Sequence, residues 1–207
     1  MEVLQMILSP LDFLTLARCA QVCKRWRDTL TSGINTVLWK TLHFDKNRRR
    51  VSLQALSALL KFTGYDARAL IIDDCKRIGF TNDKLRAVML ASKKLECLEL
   101  RRPVECMPFP TGGASTPGQK IRRLVLEGFQ MDRIALWASF EGYLQTTRVL
   151  EYLELIECDI KLCDSTILGP PAVQPNLRHL RITPTAGAGL DFVSAITNFT
   201  RALLITS

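Results

Sequence analysis

Histidine is scarce in this chain and closely paired cysteine is absent. Only His43 and His179 occur among 207 residues, and none of the seven cysteines (19, 23, 75, 97, 106, 158 and 163) forms a CxxC pair. A zinc site needs ligands at such spacings and a disulfide framework needs an even set, so both fit badly and no metal or other cofactor is expected. Cysteine used as a small buried apolar residue in a reducing compartment suits the pattern better. No run of about 18 apolar residues is present, which disfavours a membrane span. The opening "MEVLQMILSP" carries Glu2 in place of the basic start of a signal peptide. The expected location is therefore intracellular, cytoplasmic or nuclear or both. A nucleophile with its base, or a converging set of carboxylates, cannot be assembled either, so the chain is expected not to be an enzyme.

What is present is apolar and basic. With 47% hydrophobic residues the chain can bury one substantial core, or a small module followed by a second unit. A formal charge of +8 suggests an acidic partner, either nucleic acid or an acidic protein surface. The densest basic run, "DKNRRR" at 45 to 50, has no interleaved aromatics, so it reads as a solvated linker and nucleic acid is not the expected partner.

The chain repeats itself. The pattern LxxLxL recurs as "LECLEL" at 95 to 100, "IRRLVL" at 121 to 126, "LEYLEL" at 150 to 155 and "LRHLRI" at 177 to 182, with weaker copies "ARALII" at 67 to 72 and "TRALLI" at 200 to 205. Its second anchor falls at Leu70, Leu98, Leu124, Leu153, Leu180 and Leu203, in steps of 28, 26, 29, 27 and 23 residues. Apolar residues separated by one position share a strand face, so each copy predicts a short strand. Helical spacing follows some of them: Leu85, Val88 and Met89, then Ile134, Trp137, Phe140 and Leu144. The interval 103 to 120 carries four prolines and three glycines and reads as a loop. Its "GASTPGQK" nearly matches a phosphate-binding loop, but Gln119 stands where lysine is required, so no nucleotide site is expected.

Strand plus helix at this period resembles the leucine-rich repeat, with Cys75 and Cys158 at the Asn/Cys position that follows LxL. Residues 1 to 44 do not follow the period. Helical turns in "EVLQMIL", "TLARCAQV" and "CKRWRDTL" predict a three-helix module with a break at Pro10. The order Glu2, Leu4, Ile7, Leu11, Leu14, Arg18, Cys19, Val22, Cys23, Lys24, Trp26 and Arg27, followed by Leu38 and Trp39, resembles the F-box family, and VCKxWR is its most specific part. The match departs from that family in having no Leu-Pro ahead of Glu2, and Thr15 where Asp is common.

The two resemblances together imply an α/β chain: an all-α F-box module at 1–44, a linker with a first helical segment at 45–66, and a leucine-rich-repeat solenoid at 67–207 with a parallel concave sheet and convex helices or loops. Such chains are similar to the substrate-recognition subunits of SCF-type ubiquitin ligases. The resemblance implies docking to a Skp-type adaptor, and through it to a cullin-RING ligase, with a substrate protein on the repeats. A ligase-independent repeat scaffold is the other reading. The adaptor-docking set is Leu4, Ile7, Leu8, Pro10, Leu11, Leu16, Val22 and Cys23, because so small a module cannot bury them all internally. Trp26 and Trp39 are expected to join the module to the repeats.

For the substrate, the positions between anchors project from the sheet in three columns. One holds Ala69, Cys97, Arg123, Tyr152 and His179; the second holds Ile71, Glu99, Val125, Glu154 and Arg181; the third holds Asp73, Arg101, Glu127, Ile156 and Thr183. Arg101 is expected to pair with Glu127 and Glu154 with Arg181. Arg123, Tyr152, Glu154, His179 and Arg181 form the expected binding set, Tyr and Arg being the side-chain types enriched at hot spots. The last strand copy ends in "RALLITS" with no polar cap, so either a truncated chain or a covered edge is expected.

Overall fold

The computed structural model describes residues 3–8, 11, 13–31, 38–44, 52–62, 67–102, 120–129, 140, 142–144, 147–158 and 176–185. The expected linker run 45–50, the loop 103–119, Ile134, Trp137 and the final strand copy at 200–205 lie outside these residues.

Three short helices open the chain: α1 (Val3–Leu8), α2 (Phe13–Val22) and α3 (Lys24–Thr31). After them come β1 (Thr41–Phe44), α4 (Leu53–Phe62), β2 (Ala69–Ile72), α5 (Cys75–Ile78), α6 (Asn82–Ala91), β3 (Cys97–Arg101), β4 (Arg123–Glu127), β5 (Tyr152–Ile156) and β6 (His179–Thr183). The six strands make one parallel sheet in sequence order. Each strand is short because LxL supplies only two core anchors before the chain turns away.

Register follows the anchors. Leu70 sits opposite Leu98, Leu98 opposite Leu124, Leu124 opposite Leu153 and Leu153 opposite Leu180. A slip of one residue would turn every anchor to the opposite face, which is why the pattern pins the pairing. The first anchors of the copies, Ala67, Leu95, Ile121 and Leu150, are buried with them. The carbonyls of Arg68, Glu96, Arg122 and Glu151 each accept two successive N–H groups from the next strand's entry, so the strand starts are tied in series.

The sheet includes one strand that the period does not predict. Residues 41–44, assigned to the front module from sequence, form β1, with Leu42 opposite Leu70 and Phe44 opposite Ile72. Leu42 and Phe44 are buried like the anchor pairs of β2 to β5, whereas Leu180 and Ile182 of β6 are half-buried. Trp39 stands three residues before Leu42, the place of the first anchor, and is buried as well.

One core runs through both parts of the chain. Leu8, Leu16, Ala20 and Leu30 of the front helices belong to the same buried cluster as the strand anchors and Leu56 and Leu60 of α4. The Trp39 indole Nε1 donates to the Leu30 carbonyl at 2.9 Å, closing α3 onto the first strand. Trp26 is half-buried against this cluster. The helical prediction at 81–94 appears as α6, with Leu85, Val88 and Met89 all buried. Phe140 and Leu144, expected on a helix, are helical and buried.

Candidate functional site

The two faces of the sheet differ. One carries the anchors. The other carries the three columns read from the sequence, and the observed register aligns them residue for residue: Cys97 with Arg123, Tyr152 and His179; Glu99 with Val125, Glu154 and Arg181; Arg101 with Glu127, Ile156 and Thr183. The added strand extends two columns with Thr41 and His43.

Across the columns runs a chain of polar contacts. His43 Nε2 lies 2.9 Å from Asp73 Oδ2, and Arg101 Nη1 donates to Asp73 Oδ1 at 3.3 Å. Arg101 also lies within 3.7 Å of Glu99 and 3.4 Å of Glu127. The Glu127 contact is made through Nε and lacks hydrogen-bond geometry, so attraction there is Coulombic. Arg123 Nε donates to Glu99 Oε1 at 2.9 Å. Arg181 Nη1 lies 3.1 Å from Glu154 Oε1, and the Tyr152 hydroxyl donates to Glu154 Oε2 at 2.8 Å. The expected pairs Arg101–Glu127 and Glu154–Arg181 are both present.

Stacking runs the same way. The Arg123 guanidinium sits 3.8 Å above the Tyr152 ring centroid, and the opposing ring of His179 lies 4.1 Å from Tyr152 at 7°. Strand spacing of about 4.8 Å is close to a stacking distance, which lets planar groups on neighbouring strands layer. Burial lowers the pKa of Arg123, but its contacts with Glu99 and Tyr152 more than offset this and hold it above the usual value. Arg123, Tyr152, Glu154, His179 and Arg181 thus form one continuous cluster on β4, β5 and β6.

Depth separates the charges. The carboxylates Asp73, Glu99, Glu127 and Glu154 have side chains only 8–23% exposed, whereas Arg101, Arg123 and Arg181 are 38–63% exposed. Val125 and Glu154, expected to project, are buried beneath their neighbours. The carboxylates form a floor and the guanidinium groups lie over it.

The front helices place the expected docking residues at different depths. Ile7, Val22 and Cys23 are exposed, and Leu11 is half-buried against the core. Leu8 and Leu16 are fully buried, contrary to the expected docking set. The module does not have to bury them alone, because it packs on the sheet and shares its core. Pro10 and the side chain of Leu4 lie outside the described residues. Val3 and Met6, absent from the expected set, are strongly exposed apolar side chains of α1. Their signal was present: Val3, Met6 and Ile7 stand three and four residues apart, one face of the helix, with Leu8 turned away.

Residues 1–45 match the F-box-like family. This match fits the three helices and the exposed apolar residues that they carry. No curated protein and no solved structure matches the chain. Among the described residues no three His, Cys, Asp or Glu side chains are grouped to hold a metal ion. No helix among them is long and apolar enough to cross a membrane.

Proposed function

We propose that this chain is a non-catalytic substrate-recognition subunit of an SCF-type ubiquitin ligase. The F-box-like domain docks a Skp-type adaptor, and the strand copies build a leucine-rich-repeat solenoid whose polar sheet face holds the substrate protein. The observation that carries this reading is the conjunction of an F-box-like match with a sheet that shares its core and presents an ordered row of Arg, Tyr and His side chains. The mechanism is proximity: substrate and ubiquitin carrier held on one assembly meet at a local concentration instead of by diffusion.

Ile7 and Val22 are the residues with which to test the adaptor contact, since both are exposed and a charge there does not enter the core. The Ile7→Asp, Val22→Asp double variant should lose co-purification with a Skp-type adaptor while its melting temperature stays within about 3 °C of the parent, as surface changes usually cost little. The burial of Leu8 and Leu16 favours the second reading, a ligase-independent scaffold, because it removes two apolar groups from the docking surface. A parent chain that does not retain the adaptor establishes that reading instead.

A further inference from the structure

We infer that the sheet face recognises a peptide segment bearing Asp or Glu carboxylates. This rests on the reading of that face as the substrate surface and names the chemistry of its ligand.

The reasoning starts from which hydrogen-bonding capacity remains. Glu154 spends its two oxygens on Arg181 and the Tyr152 hydroxyl, and Glu99 accepts from Arg123 and lies against Arg101. These carboxylates sit low in the face. The guanidinium groups stand higher, and each has five N–H donors, of which the contacts below use only some. Arg181 is the most exposed of them, at 63%, with Nη1 on Glu154. A ligand approaching the face therefore meets donors and must bring acceptors.

Two further features point the same way. The arginines are held before the ligand arrives, Arg123 between Glu99 and the Tyr152 ring and Arg181 on Glu154, so little side-chain freedom is lost on binding. The chain as a whole carries +8, which draws anionic segments toward it. A carboxylate matches one guanidinium fork in shape and charge. With four carboxylates under three guanidinium groups the face has no net positive charge, so recognition of an acidic segment rests on the donors of the outer guanidinium groups and not on the charge of the face as a whole. A doubly charged phosphate, which depends more on that net charge, fits less well than a single carboxylate.

The probe is a fluorescent random copolymer of Glu and Tyr, with a copolymer of Lys and Tyr as its counterpart, titrated with the full chain at 0.15 M salt and followed by anisotropy. The parent should bind the Glu–Tyr copolymer and not the Lys–Tyr one. Arg181→Gln, which keeps an N–H for Glu154, and Tyr152→Ala should each weaken binding roughly tenfold, the size expected for charge-assisted contacts. The paired change Arg86→Gln and Lys93→Gln, at exposed positions of α6 and the turn after it, should stay within about twofold despite removing more charge. Melting temperatures confirm that each variant is folded. An equal loss in the Arg86/Lys93 variant would mean unselective charge attraction and overturn the inference. Binding of the Lys–Tyr copolymer that Tyr152→Ala abolishes would keep the face as the binding surface but overturn the acidic class. If neither copolymer responds to the face variants, the inference fails together with the reading on which it rests. Displacement by inorganic phosphate at a concentration where acetate of equal ionic strength has no effect would make phosphate the ligand and overturn the carboxylate assignment.

Discussion

Cys75 is fully buried where β2 gives way to α5, and burial pushes its thiol up from the ordinary 9.0 to about 12, with Asp74 adding to the rise and a backbone hydrogen bond at Arg101 opposing it. Cys158 is raised to about 11, again mainly by burial, and its Sγ donates to the Leu126 carbonyl at 3.4 Å. A thiol kept neutral in the fold contributes nothing to pH dependence below its unfolded value. Above it the unfolded chain ionises and the folded chain does not, so stability falls until the folded value is passed. In urea unfolding the thiol contribution should therefore be constant below about pH 8.5 and make stability fall between 9.0 and about 12, with the buried Cys75 thiol accounting for at most about 1.4 kcal/mol per pH unit. Tyr143, also raised by burial, adds to the same fall. The contribution of Cys75 is isolated by Cys75→Ala, which should make the decline shallower. An unchanged slope in that variant would show that Cys75 does not titrate in this window. The role of these cysteines as buried apolar groups was legible from their count and spacing; the depth of the carboxylate floor was not. Glu154 alternates with buried leucines and reads as an outward residue, and only the arrangement of Tyr152 and Arg181 over it places it beneath the surface.

Each of three successive strands ends in the same left-handed residue. Arg102, Gly128 and Glu157 have φ of 51°, 71° and 49°, and their N–H groups donate to the carbonyls of Glu127, Ile156 and Thr183 on the neighbouring strand. The turn takes the chain off the sheet while keeping one more interstrand bond. Glycine adopts this conformation without strain, and a side chain does so at a cost. Gly128→Ala should lower stability by about 1 kcal/mol through backbone strain alone, since the added Cβ meets nothing nearer than Arg102 Cα at 3.8 Å. Glu157→Gly is the converse test and should leave stability unchanged or raise it; a loss as large as that of Gly128→Ala would show that the Glu157 side chain matters more than its φ. These turns are invisible in the sequence, because the three residues at the position share no chemistry. The strands before them were legible, since LxxLxL fixes both face and register. The first strand escaped that reading although its signal is present: Trp39, Leu42 and Phe44 occupy the three anchor positions, and Leu42 precedes Leu70 by 28 residues, the spacing of the next pair. Trp39 also belongs to the pattern of the front module, so one residue serves two motifs and was assigned to only one.

At the scale of the molecule, the sequence divides into a helical front and a repeating remainder, and the structure joins them. A module of some 40 residues seldom sustains a core by itself. Here it does not need to, because Leu8, Leu16, Ala20 and Leu30 pack into the cluster that holds the strand anchors, and the Trp39 indole is tied to the end of α3. The consequence is cooperative unfolding. Leu16→Ala leaves a cavity in the shared core and should cost about 2–5 kcal/mol, and that loss should fall on the whole chain instead of on the front helices alone. Helical circular dichroism and tryptophan fluorescence should then shift to lower urea by the same amount and remain superimposed, the mark of a single transition. Two separated transitions, with the sheet keeping the parental midpoint while helical signal is lost early, would mean that the front helices fold as an independent unit. The distinction bears on the proposed role. A front module fused to the sheet by a common core fixes the angle between its exposed apolar helices and the Arg–Tyr–His face, so whatever docks on one is held at a set direction from whatever docks on the other. A front module that melts alone could not set that direction.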